Sequence, residues 1–146
     1  MKRKLISFLL LVFMLFGASS CAISLNTNAN AKVIVSEVFT ESKHLVVIKI
    51  DKTTKGATLM DAMRELKKGE LLAYKTAGTM ITSINGVDNA ADYSACWMLY
   101  TSDEECANGE WGVVEYKSQT YGSAIVGADA LEISEGELYI WKYENF

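Results

Sequence analysis

Aromatic side chains are the chemistry-bearing residues that this sequence concentrates in one region. Eight tryptophans and tyrosines follow residue 96, namely Trp97, Tyr100, Trp111, Tyr116, Tyr121, Tyr139, Trp141 and Tyr143. Large flat side chains with polar tips bind planar molecules by stacking and by hydrogen bonds at the ring edge. The same side chains can fill a hydrophobic core, and the pattern alone leaves both roles open.

The groups that enzymes use for acid–base or nucleophilic chemistry are sparse. His44 is the only histidine, it starts a predicted strand, and no glycine-flanked serine elbow accompanies it. The carboxylates of residues 103–105 are neighbours in an acidic loop, whereas paired catalytic carboxylates face each other across a substrate. That loop also lacks the alternating oxygen ligands and the glycine of a known calcium loop. The sequence therefore predicts a protein that is not an enzyme and carries no metal or cofactor of its own.

The cysteines divide by context. Cys21 belongs to an export signal, and Cys96 and Cys106 remain as an even pair. In an oxidising compartment such a pair favours a disulfide, which would contribute roughly 2.5–3 kcal/mol by closing a short loop. The alternative is a metal site on the two thiols, but further thiols and a nearby histidine are lacking.

The N-terminal residues have the pattern of an export segment followed by a tether. Basic residues at positions 2–4 precede an apolar run over residues 5–16, and small residues lead to Cys21. This pattern predicts a signal peptide over residues 1–20, with an apolar core too short to span a membrane. Residues 18–21 also resemble a lipobox, so we expect lipidation on Cys21 and a tether over residues 21–31. The alternative is a secreted protein.

Charge narrows the choice of partners. Residues 1–20 hold three of the 14 basic residues and none of the 18 acidic ones, so the remaining chain has a net charge of −7. A domain this acidic is a poor candidate for binding nucleic acid or an anionic membrane surface. We therefore expect a domain on the outer face of the cell membrane, attached only through its lipid.

Two strands and one helix are predicted ahead of the aromatic region. Residues 33–40 and 44–51 are rich in valine and isoleucine and alternate in part, as strands do. Residues 58–66 carry an apolar stripe at helical spacing. Thr58 suits the N-cap of this helix, and Gly69 suits a left-handed residue after its last turn.

The sequence GTMITSINGV, residues 78–87, interleaves apolar and hydroxyl side chains and then reaches Asn-Gly. Residues 80–84 are predicted to form a strand that Asn85-Gly86 ends in a tight turn, because both residues accept positive φ. Further strands are predicted over residues 93–101, 111–116 and 137–144, with loops over 102–109 and 117–127.

The last predicted strand suggests which face of the sheet is open. Tyr139, Trp141 and Tyr143 share one face, while Leu138 and Ile140 begin the other. One helix covers only one face of an antiparallel sheet. We therefore expect the leucine face to pack on the helix and the aromatic row to stand on the open face. The order of elements indicates an α+β fold, with one main helix on a mixed sheet.

Four segments recur in an order and spacing that resemble one family. They are ATLMDAM at 57–63, GTMITSING at 78–86, CWMLY at 96–100 and EGELYIWKY at 135–143. Over about residues 44–146 the chain resembles the bacterial surface domains related to the C-terminal domain of transcobalamin and intrinsic factor. The resemblance implies a β-grasp-like domain over residues 32–146, in which a sheet wraps one helix.

The resemblance also implies a small soluble ligand. In the transcobalamin relatives this domain covers one face of a corrinoid, and a separate helical domain, which we do not expect in this chain, holds the other. The candidate ligand-binding residues are Thr79, Met80, Ser83, Trp97, Tyr121 and Trp141. The expected function is to bind such a ligand, cobalamin or another corrinoid being candidates, and to present it to a transporter or partner protein. The alternatives are a surface adhesion or interaction module with an exposed aromatic face, and a hydrolase with an unrecognised site.

Overall fold

The computed structural model describes residues 32–146. The signal peptide predicted at residues 1–20, the lipidated Cys21 and the tether at 21–31 lie outside the described residues. Within them the chain is α+β, as predicted, with strands dominating over one α-helix. No helix in this part of the chain has both the length and the apolar character needed to cross a membrane.

Six strands form the main sheet, in the spatial order β1-β2-β9-β6-β8-β7. Their bounds are β1 Ile34–Ser42, β2 Leu45–Thr53, β6 Ala95–Thr101, β7 Ala107–Tyr116, β8 Gln119–Ala124 and β9 Leu138–Asn145. All strand pairings in the described residues are antiparallel, so the expectation of a mixed sheet is wrong. The reason is the connectivity: β1–β2 and β7–β8 are hairpins, and β9 enters between β2 and β6 running against both.

A second, three-stranded sheet stands over the first. It consists of β3 Tyr74–Ala77, β4 Met80–Ile84 and β5 Val87–Asp88. Asn85 and Gly86 have φ of 48° and 82°, which confirms the predicted turn at the end of β4. The small sheet packs against the main sheet through contacts between β4 and β6.

The helix α1 runs over Leu59–Lys68 and confirms the periodicity argument. Thr58 caps it, since its hydroxyl accepts from the Asp61 N–H while the Asp61 carboxylate accepts from the Thr58 N–H at 3.0 Å. The left-handed residue after the helix is Glu70, with φ of 60°, and the prediction for Gly69 is wrong because its φ is −79°. The chain turns one residue later than the glycine suggested.

Strand β8 lies where the sequence predicted a loop over residues 117–127. The β7–β8 hairpin turns through Lys117 and Ser118, whose φ values of 48° and 62° are those of a tight turn that usually carries Asn-Gly. Neither residue is a common choice for positive φ, so the sequence lacks the usual signal of a tight turn, and a glycine within β8 is more typical of a loop.

The two faces of the main sheet carry separate cores. The face toward α1, called here the helix face, holds Tyr139 and Trp141 against buried residues of the helix such as Leu59 and Met63. The opposite face, called the curled face, carries the buried residues Val47, Tyr100, Val114, Tyr116 and Ile140. The predicted alternation of the last strand is confirmed, but the predicted orientation is wrong. Tyr139 and Trp141 pack toward the helix, and Leu138 and Ile140 lie on the opposite face.

The curled face is buried although no helix covers it in the described residues. The two edge strands of the sheet approach each other at one end, where the Tyr116 hydroxyl donates to Glu41 Oε1 at 2.6 Å. The Lys117 ammonium lies 5.6 Å from the Phe39 ring centre and 5.1 Å from that of Tyr116. Strong twisting of an antiparallel sheet produces this closure, so the sheet covers its own second face.

Candidate functional site

An apolar groove of about 380 Å³ opens on the helix face, beside the small sheet. Its floor is formed by Trp97, Leu99 and Trp141 of the neighbouring strands β6 and β9. Its other lining residues are Thr79, Met80, Ile81, Met98, Trp111, Ser123, Ala124, Ile125, Val126, Gly127 and Ala128. The three tryptophans of the chain therefore meet in one place, and none of the described residues that line the groove is charged.

Trp111 reaches the groove through an irregularity in β7. Asn108 pairs with Ser123 and Val113 pairs with Gly122, so the four residues between Asn108 and Val113 bulge out of the ladder. Gly112 makes the bulge feasible with φ of 141°, a conformation that side chains rarely adopt. Trp111 is consequently 64% exposed and stands at the rim of the groove.

Close packing fixes the bulge from below. A Cβ on Gly122 would lie 3.0 Å from the Gly109 nitrogen and 3.1 Å from the Asn108 carbonyl carbon. Both neighbours are backbone atoms and cannot rotate away. The bulge that carries Trp111 thus depends on a glycine in the adjoining strand.

The two tryptophans of the floor differ in their hydrogen bonds. The Trp97 indole Nε1 donates to the Val87 carbonyl at 2.8 Å, and its backbone N–H donates to Asn89 Oδ1 at 3.0 Å, which fixes it against the small sheet. Trp141 is 5% exposed, and its Nε1 is buried without an acceptor in the described part of the chain. An unpaired buried donor costs about 1–3 kcal/mol, which marks Trp141 as an unusual member of this core.

The wall opposite the small sheet is the segment that follows β8. Its Ala128 carbonyl accepts from the Met60 N–H at 2.8 Å, and the Leu131 carbonyl accepts from the Leu59 N–H at 2.9 Å. These N–H groups belong to the first turn of α1 and have no partner within the helix. The loop therefore caps the helix, and the helix in turn holds this wall in position.

The predicted ligand-binding residues separate into two groups. Thr79, Met80, Trp97 and Trp141 all line the groove. Ser83 does not line it: it is a buried residue of β4 within the small sheet, and its hydroxyl is the main cause of a lowered pKa of Asp88. Tyr121 lies on the curled face and donates to Gln119 Oε1 at 2.6 Å.

Ten lining residues were not predicted from the sequence, and three of them, Trp111, Ile125 and Val126, are exposed apolar side chains. Trp111 is not among the predicted ligand-binding residues, although the glycines on both sides of Glu110-Trp111 are a recognisable bulge signal. Ile125 and Val126 were assigned to a loop and carried no signal of their own. They are exposed apolar side chains whose role depends on what lies beside them.

The predicted disulfide is absent, since Cys96 and Cys106 are both free. Cys96 lies 3.8 Å from the Met98 sulfur, and Met98 belongs to the curled face, whereas Cys106 packs against the core of the helix face. The sheet therefore separates the two sulfurs. Burial raises the pKa of both thiols, helped by the negative charge of Glu144 for Cys96 and of Asp103 for Cys106.

A second cavity, of about 360 Å³, adjoins the groove and is acidic. Ile125 and Val126 line both cavities, and the second one also contains Asp103, Glu105 and Glu132. Asp103 Oδ1 accepts from the Glu105 N–H at 3.1 Å, which orders the short helical turn Glu104–Cys106. Among residues 32–146 no group of three or more histidine, cysteine or carboxylate side chains is arranged to hold a metal ion.

His44 lies outside both cavities. It is exposed in the β1–β2 turn, and its ring stacks on Tyr143 with centres 5.2 Å apart. Neither cavity has His44 among its lining residues.

Known proteins supply no relative against which to set this site. No protein-family model matches the chain, and neither a curated protein nor a solved structure matches it.

Proposed function

We propose that this protein is an exported, lipid-anchored binder of a small soluble ligand, which it presents to a transporter or another surface protein. The observation that carries the proposal is the meeting of three tryptophans in one apolar groove of about 380 Å³. Sites for small molecules are typically concave, lined by apolar and aromatic side chains, and of roughly 300–1,000 Å³. The membrane anchor at Cys21 rests on the sequence pattern alone.

The ligand class follows from the lining. Flat indole rings favour a planar ligand, and Thr79 offers a hydroxyl group for its polar edge. A corrinoid is larger than this groove, so the groove would cover one face of it and leave the rest exposed. That arrangement agrees with the resemblance to the transcobalamin C-terminal domain and with a β-grasp-like packing of the sheet around α1, both of which remain part of the proposal.

An interaction module is the second candidate, and it has its own supporting observation. Met80, Trp111, Val113, Ile125 and Val126 are exposed apolar side chains around or beside the groove. Contiguous exposed apolar surface typically marks a binding site, including sites for proteins. The concavity of the floor favours the small ligand over this alternative. We propose no enzymatic activity.

Tryptophan fluorescence tests the proposal directly, because every tryptophan of the chain lines the groove. The purified protein is titrated with cobalamin, cobinamide and haem, with correction for inner-filter loss and confirmation by calorimetry. Saturable quenching with a Kd of about 1 μM or tighter is expected for the true ligand class, corresponding to about −8 kcal/mol.

The informative variant is Trp111→Ala, since Trp111 is exposed and its removal leaves the core intact. We expect at least a tenfold loss of affinity from it and no loss from Phe146→Ala, which removes an exposed aromatic ring away from the groove. If none of the three compounds binds, corrinoids and tetrapyrroles are excluded as ligands. Recovery of one cell-envelope protein by the wild type but not by Trp111→Ala would then favour the interaction module.

A further inference from the structure

The apolar groove and the acidic cavity lie side by side, with Ile125 and Val126 as their common wall. One is lined by three indole rings and no charge, and the other by Asp103, Glu105 and Glu132. We propose that the two together bind a small amphipathic cation: a planar aromatic body in the groove and an ammonium group beside the carboxylates. This inference rests on the proposed function, because it specifies the ligand of the same site.

The carboxylates of the acidic cavity have no cationic partner of their own. None of the three forms an ion pair within the described residues, and neither lysine nor arginine lines either cavity. The negative field there is sufficient to help raise the pKa of Cys106, on which all three act after burial itself. Carboxylates without a counter-charge attract a cation.

The groove has, independently of the carboxylates, a buried hydrogen-bond donor without an acceptor. Trp141 lines the groove, is 95% buried, and its Nε1 has no acceptor among the described residues. A hydrogen-bond acceptor on a planar ligand is the kind of partner that this donor lacks. The floor thus favours an aromatic body with a polar edge, and the adjoining cavity fixes the sign of its charged group.

The shape of the wall makes a single ligand feasible. Ile125 and Val126 are both exposed, so a molecule lying in the groove rests against side chains that also border the carboxylates. Ser134 adds a hydroxyl next to Asp103, with 3.4 Å between Ser134 Oγ and Asp103 Oδ2. An ammonium group there would have carboxylate and hydroxyl oxygens as acceptors.

A matched pair of probes tests the charge. Naphthylethylammonium and naphthylethanol share one aromatic body and differ only in the head group, and calorimetry with the purified protein gives both affinities. At low salt we expect the ammonium compound to bind about three- to tenfold more tightly, because exposed ion pairs are modest individually. At about 0.5 M salt we expect this preference to shrink, since exposed charges are then screened.

The variant Asp103→Asn/Glu132→Gln removes two of the three carboxylates and is expected to reduce the preference, measured as the ratio of the two affinities. Asparagine keeps the capping hydrogen bond of residue 103, and thermal unfolding checks that the fold is retained. The control is Glu37→Gln, which removes a carboxylate from β1 at the opposite edge of the sheet and is expected to preserve the preference.

The outcomes separate this inference from the proposed function. Equal binding of both probes, sensitive to Trp111→Ala, would overturn the cation inference and leave a small-molecule binder. Failure of both probes together with cobalamin, cobinamide and haem would count against the proposed function itself. A basic, tryptophan-containing peptide that binds while the ammonium probe does not would assign the site to a peptide, and the small-cation inference would be wrong.

Discussion

The two faces of the main sheet are buried by different means. The helix face is covered from outside by α1 and by the small sheet, and the cover stops short of β7 and β8, which leaves the groove. The curled face is covered by the sheet itself, with Tyr116 of one edge strand bonded to Glu41 of the other. One face therefore has an open groove, and the other is covered by the sheet itself.

Because of this difference, residues that are equally buried on the two faces have different surroundings. Trp141 and Ile140 are adjacent in β9 and both are buried, yet Trp141 lines the groove and Ile140 does not. Tyrosines divide likewise: burial raises the pKa of Tyr139 on the helix face to about 12, and it also raises the pKa of Tyr100 on the curled face. The burial of individual residues therefore does not distinguish the two faces. The faces differ in whether a groove is left open beside the covering elements.

The largest expected effect comes from deleting one core side chain on each face. Met63→Ala in α1 and Ile140→Ala in β9 remove fully buried side chains, and each is expected to lower the free energy of unfolding by about 2–5 kcal/mol. Urea unfolding measures both, with Phe146→Ala as a surface control within about 0.5 kcal/mol. A loss below about 1 kcal/mol for Ile140→Ala alone would mean that the curled face is open to water.

A smaller effect is expected where the two floor tryptophans are compared. Trp97→Phe deletes the hydrogen bond to Val87, whereas Trp141→Phe deletes a donor that has no partner in the described residues. Trp97→Phe should therefore be more destabilising than Trp141→Phe by about 1–2 kcal/mol, measured by the same unfolding experiment. Equal losses would show that the Trp141 N–H is paired after all.

The sequence allowed local structure to be predicted better than orientation. The helix, its Thr58 cap and the Asn85-Gly86 turn follow from short-range patterns, which are set by hydrogen bonds within a few residues. Alternation in the last strand was also readable, but a period of two gives two faces and does not say which one meets the helix. Since the curled face closes on itself, both faces are apolar, and the usual contrast between core and solvent was missing.

The groove could also be predicted only in part. Four of the six selected residues line it because they lie in or beside strands that the small sheet and the main sheet bring together. Ser83 lies two residues beyond Ile81 on β4 and is buried away from the groove. Tyr121 lies on the curled face because residues 119–124 form a strand of a hairpin and not a loop. The disulfide prediction failed because the spacing of two cysteines carries no information about the sheet between them.

Acid should weaken the helix face selectively. Partial burial disfavours the Asp61 carboxylate, but hydrogen bonds from Lys32 and Thr58 outweigh this and lower its pKa. A lowered pKa in the folded state stabilises the fold fully above about pH 4, the ordinary value, and this contribution is lost as the pH falls through the folded value. We expect Asp61→Asn to cost about 0.5–1 kcal/mol at pH 7 and nothing at the lowest pH, as followed by thermal unfolding. A constant loss at all pH values would contradict this account.

Alkali should weaken the curled face, and by the smallest amount. Burial and the Glu41 carboxylate raise the pKa of Tyr116, so its stabilising contribution is present below about pH 10 and is lost as the pH rises through the folded value. Tyr116→Phe is therefore expected to cost about 0.5 kcal/mol at neutral pH and to flatten the alkaline limb of the stability profile. The matched control is Tyr121→Phe, which removes a hydroxyl bonded only within its own strand, to Gln119. The Tyr116–Glu41 hydrogen bond joins the two edge strands, so a larger loss of stability for Tyr116→Phe than for Tyr121→Phe would attribute the closure of this face to that contact. Equal losses would attribute the closure to the apolar core alone.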